Sequence, residues 1–123
     1  MKLQLSGGGP HPHFTGYGVG YVTVGGERYE HPVVLAPGHA VERWDVAGFE
    51  AVTAETFAPL LALKPEVVVF GTGATLRFPP PHIMALLAQA GVGLEVMDTG
   101  AACRTYNILL SEDRRVVAAV LIA

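Results

Sequence analysis

The chain has 123 residues, 50% of them hydrophobic, which is one domain's length with enough apolar side chain for a core, and it excludes two independently folded domains. Eight basic residues against eleven acidic ones leave a formal net charge of −3, so the electrostatic footprint of a nucleic-acid or anionic-membrane binder is absent. A lone cysteine, Cys103, excludes an internal disulfide and a structural zinc site, and fits a reducing cytoplasm.

Met1 to Ser6 run into glycines without the apolar region of a secretory signal. The most apolar stretch, Val116 to Ala123, falls far short of the ~20 residues a membrane helix needs, so direct membrane insertion is not expected. Leu3 and Leu5 alternate with polar neighbours as an edge strand would, and Gly7 to His13 reads as loop. From Gly18 to Val24 β-branched and aromatic residues return, Gly25-Gly26 supplies a tight turn, and Glu27 to Leu35 is the partner strand of a hairpin. Pro32 has no amide hydrogen, so that arm is expected at an edge or with a bulge. Val41 to Val46 alternates as a short strand. Thr53 is the expected N-cap of a helix carrying Phe57, Leu60, Leu61 and Leu63, ended by Lys64-Pro65, with Pro59 early enough to be tolerated.

The second half is more ordered. Val67 to Phe70 has no polar alternation, which marks a strand covered on both faces. After Gly71 to Thr75 turn away, Pro79-Pro80-Pro81 lead into a helix from His82 to Ala90 that Gly91 stops. Leu94 to Met97 reads as the next buried strand, and Thr99 as an N-cap candidate. Ala102, Cys103, Tyr106, Leu109 and Leu110 form the inner face of a second helix that ends at Ser111 to Asp113. Arg115 to Ile122 is the last strand, parallel to the others if the crossovers are right-handed; periodicity leaves a reversed strand open. The expectation is one α/β domain over residues 1–123, with a C-terminal βαβαβ unit in a mixed sheet and the N-terminal hairpin joined to it or packed on it.

Turns at the carboxyl ends of adjacent parallel strands open on one side of a sheet, so Gly71-Thr72-Gly73 and Asp98-Thr99-Gly100 define the candidate crevice. Gly71-Thr72-Gly73 follows its strand as a phosphate-cradling loop would, and Asp98 lies where a dinucleotide fold keeps its ribose-binding acid. The match then fails: Leu76 replaces the third glycine, no Lys-Ser/Thr pair follows, and three prolines precede the helix. A structural turn is the plainer account. At the second turn, Thr99 and Gly100 expose the first amides of a helix and Arg104 lies one turn on, a cradle suited to a small anion such as a carboxylate or phosphate. The competing account has Asp98 or Thr99 capping that helix and Arg104 pairing with Asp98 or Glu95.

Cys103 shares a face with Tyr106 and Leu110, so a buried thiol is the simpler account than a nucleophile, and His82 is the sole histidine of this half. His11 and His13 have ligand spacing but no third partner nearby. Asn107 is better suited to bonding a neighbouring loop's backbone than to an oxyanion. The candidate ligand-binding set is therefore Gly71, Thr72, Gly73, Asp98, Thr99, Gly100, Arg104 and Asn107, with no catalytic residue, metal or cofactor assigned. Trp44, Tyr17, Tyr21 and Tyr29 make the hairpin a candidate partner surface, with sheet packing the simpler account.

The runs Val67-Val68-Val69-Phe70-Gly71-Thr72-Gly73, Gly91-Val92-Gly93-Leu94-Glu95-Val96-Met97-Asp98-Thr99, Ala102-Cys103-Arg104-Thr105-Tyr106-Asn107-Ile108-Leu109 and Arg115-Val116-Val117-Ala118-Ala119 together resemble the Mth938-like domain family, DUF498. The resemblance covers the C-terminal half strongly and the hairpin through Trp44 more loosely. It implies a three-layer α/β fold without established enzymatic activity, in a family that includes a mitochondrial complex I assembly factor and an adipogenesis-associated protein. Without a presequence ahead of these motifs, a bacterial stand-alone member is expected. The leading functional expectation is a non-enzymatic interaction or assembly module with a protein partner. Its rival is a small-molecule or anion-binding protein, or an enzyme, using the crevice between the two turns. Oligomeric state is left open.

Overall fold

The computed structural model describes residues 11–123, so the expected strand at Leu3 and Leu5 lies outside the described residues. The first three strands, β1 (Phe14–Gly18), β2 (Tyr21–Val24) and β3 (Glu27–Tyr29), form an antiparallel sheet. Gly25 and Gly26 both take positive φ, 57° and 85°, the backbone of a two-residue hairpin turn. β1 is one strand more than the residue pattern indicated. Its glycines, Gly16 and Gly18, hide the alternation by which a strand is recognised.

The expected second arm of the hairpin, Glu27 to Leu35, is two strands in two sheets. It breaks at Pro32, and β4 (Val33–Leu35) joins a five-stranded sheet ordered β5-β4-β8-β6-β7. Pro32 has no amide to donate to a ladder, but its carbonyl accepts from the Trp44 amide at 2.9 Å. The strand expected over Val41 to Val46 shrinks to β5 (Glu42–Arg43), paired antiparallel with β4. It is followed by a short 3-10 turn at Phe49–Ala51 and by α1 (Ala54–Leu61). Thr53 caps α1 in a reciprocal capping box with Thr56, and the helix continues through Pro59.

In the second half β6 (Val67–Gly71), α2 (Pro81–Gln89), β7 (Gly93–Met97), α3 (Thr99–Ser111) and β8 (Val116–Val120) follow the expected order. β6 is parallel to both β7 and β8, and β8 is antiparallel to β4, so the sheet is mixed. β8 lies at its centre. β7 lies at its edge, and Gly93 and Glu95 are exposed, which corrects the expectation of a buried strand there. A run of apolar residues does not distinguish a strand with two neighbours from a strand with one.

Side chains of the central strands alternate between two cores. Val68, Phe70, Val117, Ala119 and Leu121 face α1 and α2, whereas Val67, Val69, Val116, Ala118 and Val120 face α3 and the small sheet. The layers are thus α1 and α2, the five-stranded sheet, and α3 flanked by the three-stranded sheet. Phe70 anchors the first core, edge-on to Trp44 at 5.7 Å and to Phe57 at 5.3 Å, and stacked with Phe49 at 6.3 Å. In the second core, Phe14 meets Tyr106 edge-on at 5.7 Å.

Candidate functional site

Two crossovers leave the sheet in opposite directions: α2 covers one face on the way from β6 to β7, and α3 covers the other on the way from β7 to β8. The turns Gly71-Thr72-Gly73 and Asp98-Thr99-Gly100 therefore meet at one rim, the place where α/β sheets open a crevice. Here the rim is laced together by its own hydrogen bonds. The Thr72 amide donates to the Met97 carbonyl at 2.9 Å. The Gly73 amide donates to Thr99 Oγ1 at 2.9 Å, the Thr99 amide donates to the Gly73 carbonyl at 2.9 Å, and Thr99 Oγ1 donates to the Leu121 carbonyl at 2.6 Å. Thr72 and Thr99 are fully buried, and each hydroxyl is bonded within the fold.

The loop after β6 is tied down from above. Thr72 Oγ1 donates to the Thr75 carbonyl at 2.7 Å and accepts from the Arg77 amide at 3.1 Å. The Arg77 guanidinium donates to the Thr72 carbonyl at 2.8 Å and lies over the Phe49 ring, 4.5 Å from its centroid. Nothing in the residue pattern singled out Arg77; an arginine five positions after the turn acquires this role only when the loop doubles back.

At the pole of α3, Asp98 is the cap, accepting from the Ala101 amide at 2.9 Å, while Thr99 begins the helix. The Tyr17 ring lies across Gly100, so closely that a Cβ there would meet Tyr17 Cε1 at 2.7 Å. Arg104 donates to the Tyr17 hydroxyl and stands over the same ring, 5.7 Å from its centroid. That replaces the expected pairing with Asp98 or Glu95: β1 runs alongside α3 and brings a phenol within reach. Asn107 acts on backbone as its residue type suggested. Its carboxamide accepts from the Phe14 amide at 3.0 Å and donates to the Phe14 carbonyl at 2.7 Å, pinning β1 to α3.

The structure thus gathers Gly71, Thr72, Gly73, Asp98, Thr99 and Gly100 at one rim, with Arg104 one turn along α3 and Asn107 a further turn away, against β1. Cys103 is buried among apolar side chains, and that burial pushes its thiol up to about 12, far from a reactive thiolate. Burial also raises Tyr106, whose hydroxyl has no partner among the described residues. His11 Nδ1 accepts from the Gly38 amide at 2.9 Å, and among the described residues no three His, Cys, Asp or Glu side chains group as metal ligands.

These features define a three-layer α/β domain whose switch-point crevice is closed by its own main chain. Comparison with known proteins gives the family. Residues 14–121 match the family described as "Protein of unknown function (DUF498/DUF598)", and the chain belongs to that family. It is similar to the bovine NADH dehydrogenase [ubiquinone] 1 alpha subcomplex assembly factor 3, with 38% identity over 100 residues, covering 80% of this chain and 54% of that protein. The chain therefore spans about half the length of that relative. It is also 32% identical over 90 residues to a 13 kDa major membrane protein of Francisella tularensis, covering 72% of this chain and 73% of that one. Among solved structures, a Bordetella parapertussis protein superimposes with a TM-score of 0.88 at 40% identity, covering 93% and 98% of the two chains. A Mth938-like domain from Bordetella pertussis gives 0.79 at 35% identity, covering 98% and 92%. The fold is Mth938-like. Among the described residues no helix is long and apolar enough to cross a membrane.

Proposed function

We propose that this chain is a non-enzymatic interaction module that binds a protein partner and supports assembly of a respiratory or other membrane-associated complex, working in a reducing cytoplasm. The observation that carries this reading is the 38% identity to a complex I assembly factor along 80% of the chain. The state of the rim supports it. Groups that an enzyme would aim at a substrate, the Gly73 and Thr99 amides and both threonine hydroxyls, are spent on holding two loops together. Deletion of the chain from its source cell tests the reading: mature NADH dehydrogenase complex should fall and partial assemblies accumulate on native gels. Unchanged assembly of that and of other membrane complexes in the deletion strain would rule the reading out.

A second reading, a small anion held at the α3 pole, draws on Arg104, which forms no ion pair among the described residues. Its test is a thermal-shift series with phosphates, nucleotides and carboxylates on the wild type and Arg104→Ala. Stabilisation of the wild type alone would support it, and flat responses in both would discard it.

A further inference from the structure

The far end of the five-stranded sheet from β7 is β5, and beside it lies a groove of about 380 Å3 that the fold leaves unfilled. Val34, Trp44 and Leu60 line its apolar floor, and α1 supplies the opposite wall. Trp44 is fixed there by its indole N–H, which donates to the Thr56 carbonyl of α1 at 3.0 Å. Antiparallel pairing decides how β5 presents its backbone. Because the Trp44 amide donates inward to the Pro32 carbonyl, the N–H and C=O of the preceding residue, Arg43, point to the outer side, where the sheet ends.

Charge separates this groove from an ordinary surface dip. Glu42 and Asp45 on the strand side and Glu55 on the helix side place exposed carboxylates on both walls, against the single guanidinium of Arg43. None of the three forms an ion pair among the described residues. A free backbone edge, an apolar floor and uncompensated negative walls are the three elements by which an extended peptide carrying cations is recognised.

We propose that this groove receives an extended, lysine- or arginine-bearing segment of a partner protein. The segment adds to the β5 edge at Arg43, sets an apolar side chain on the Trp44 floor and brings its cation to the carboxylates. An acidic segment would meet like charges, and a second copy docking groove to groove would bring the same carboxylates. The inference rests on the interaction-module reading and names the chemistry of the partner that the module takes.

The test is a fluorescence-anisotropy titration of the full chain with a labelled Val-Lys-Val-Lys-Val-Lys peptide, against Val-Glu-Val-Glu-Val-Glu as control. The lysine peptide should bind, more weakly as salt rises, and the glutamate peptide should not. The double variant Glu42→Lys, Glu55→Lys should weaken binding by about tenfold or more, since two attractive contacts become repulsive. Arg43→Pro, which removes an outward amide that no ladder uses, should weaken binding without altering the circular dichroism spectrum. Equal affinity for both peptides, an unchanged double variant, or no binding at millimolar lysine peptide would overturn the proposal. Capture from source-cell extract with the same variants separates the two readings. If wild type and double variant retain the same partner, the groove assignment falls and the interaction module stands. If the deletion strain assembles its membrane complexes normally while the titration and the capture behave as expected, the assembly reading falls and the groove stands.

Discussion

The Asn107 side chain and the Phe14 backbone, 93 positions apart, form a closed pair of hydrogen bonds of 3.0 and 2.7 Å. This carboxamide ties the small sheet to α3 through directional bonds, in addition to the apolar contact of Phe14 with Tyr106. Asn107→Leu would leave both backbone groups of Phe14 without their partner in a half-buried place, which costs about 1–3 kcal/mol. Urea unfolding should show that loss, and hydrogen exchange should show the Phe14 amide losing protection before the amides of β8. Asn107→Asp keeps the acceptor for the Phe14 amide but sets a carboxylate oxygen against the Phe14 carbonyl, so it should not recover the wild-type stability.

Thr99 is the knot of the rim, since its hydroxyl accepts from the Gly73 amide and donates to the Leu121 carbonyl. Thr99→Val preserves shape and removes both bonds. With two buried backbone groups orphaned, the expected destabilisation is about 2–3 kcal/mol, and Thr99→Ser should recover most of it. Equal stability of the valine and wild-type proteins in chemical denaturation would show that the lacing contributes nothing.

Gly71 ends β6 against α3 and β8. A Cβ at that position would lie 3.0 Å from both Ala102 Cβ and Val120 Cγ1, and 3.1 Å from Thr99 Cα. Gly71→Ala should therefore overpack the second core and cost about 1–3 kcal/mol, against the usual gain in helix or strand on replacing glycine. Pairing it with Ala102→Gly should restore part of the loss, because the double variant removes one of the clashing methyls.

Cys103 should be silent as a nucleophile and visible as a titrating group. Its thiol is raised by burial from 9.0 to about 12, so between those values the unfolded chain ionises while the folded chain stays protonated. The unfolded state then holds fewer protons, and stability that is present below pH 9.0 must fall as pH rises toward about 12. Tyr106, raised in the same direction, adds to the decline. Urea midpoints measured up the alkaline range should show a shallower fall in Cys103→Ala than in wild type. A thiol reagent at pH 8 should label the native protein only as fast as it opens.

Particular elements show what was legible in the residues. The helix from Thr53, the hairpin turn at Gly25-Gly26 and the order of β6, α2, β7, α3 and β8 follow from caps, glycines and apolar spacing within a few positions. The meeting of the two turns follows from a strand, a turn and a helix in succession, and Asn107 in mid-helix is a residue type suited to bonding backbone, as it does at Phe14. Strand β1 escaped because glycine carries no alternation, and Tyr17 could not be matched to Arg104 because 87 positions separate them.

The local elements and the two turns are written in the residues, because helix caps, turn glycines and apolar periods act through near neighbours. Long-range pairing settles that Pro32 divides two sheets, that β8 takes the centre and β7 the edge, and that the rim amides donate to oxygens of the facing loop. The reason is physical: an apolar run reports that a strand is covered, while what covers it depends on pairings across the whole chain. Hydrogen-bond partners at the rim are settled only when those pairings bring distant loops together.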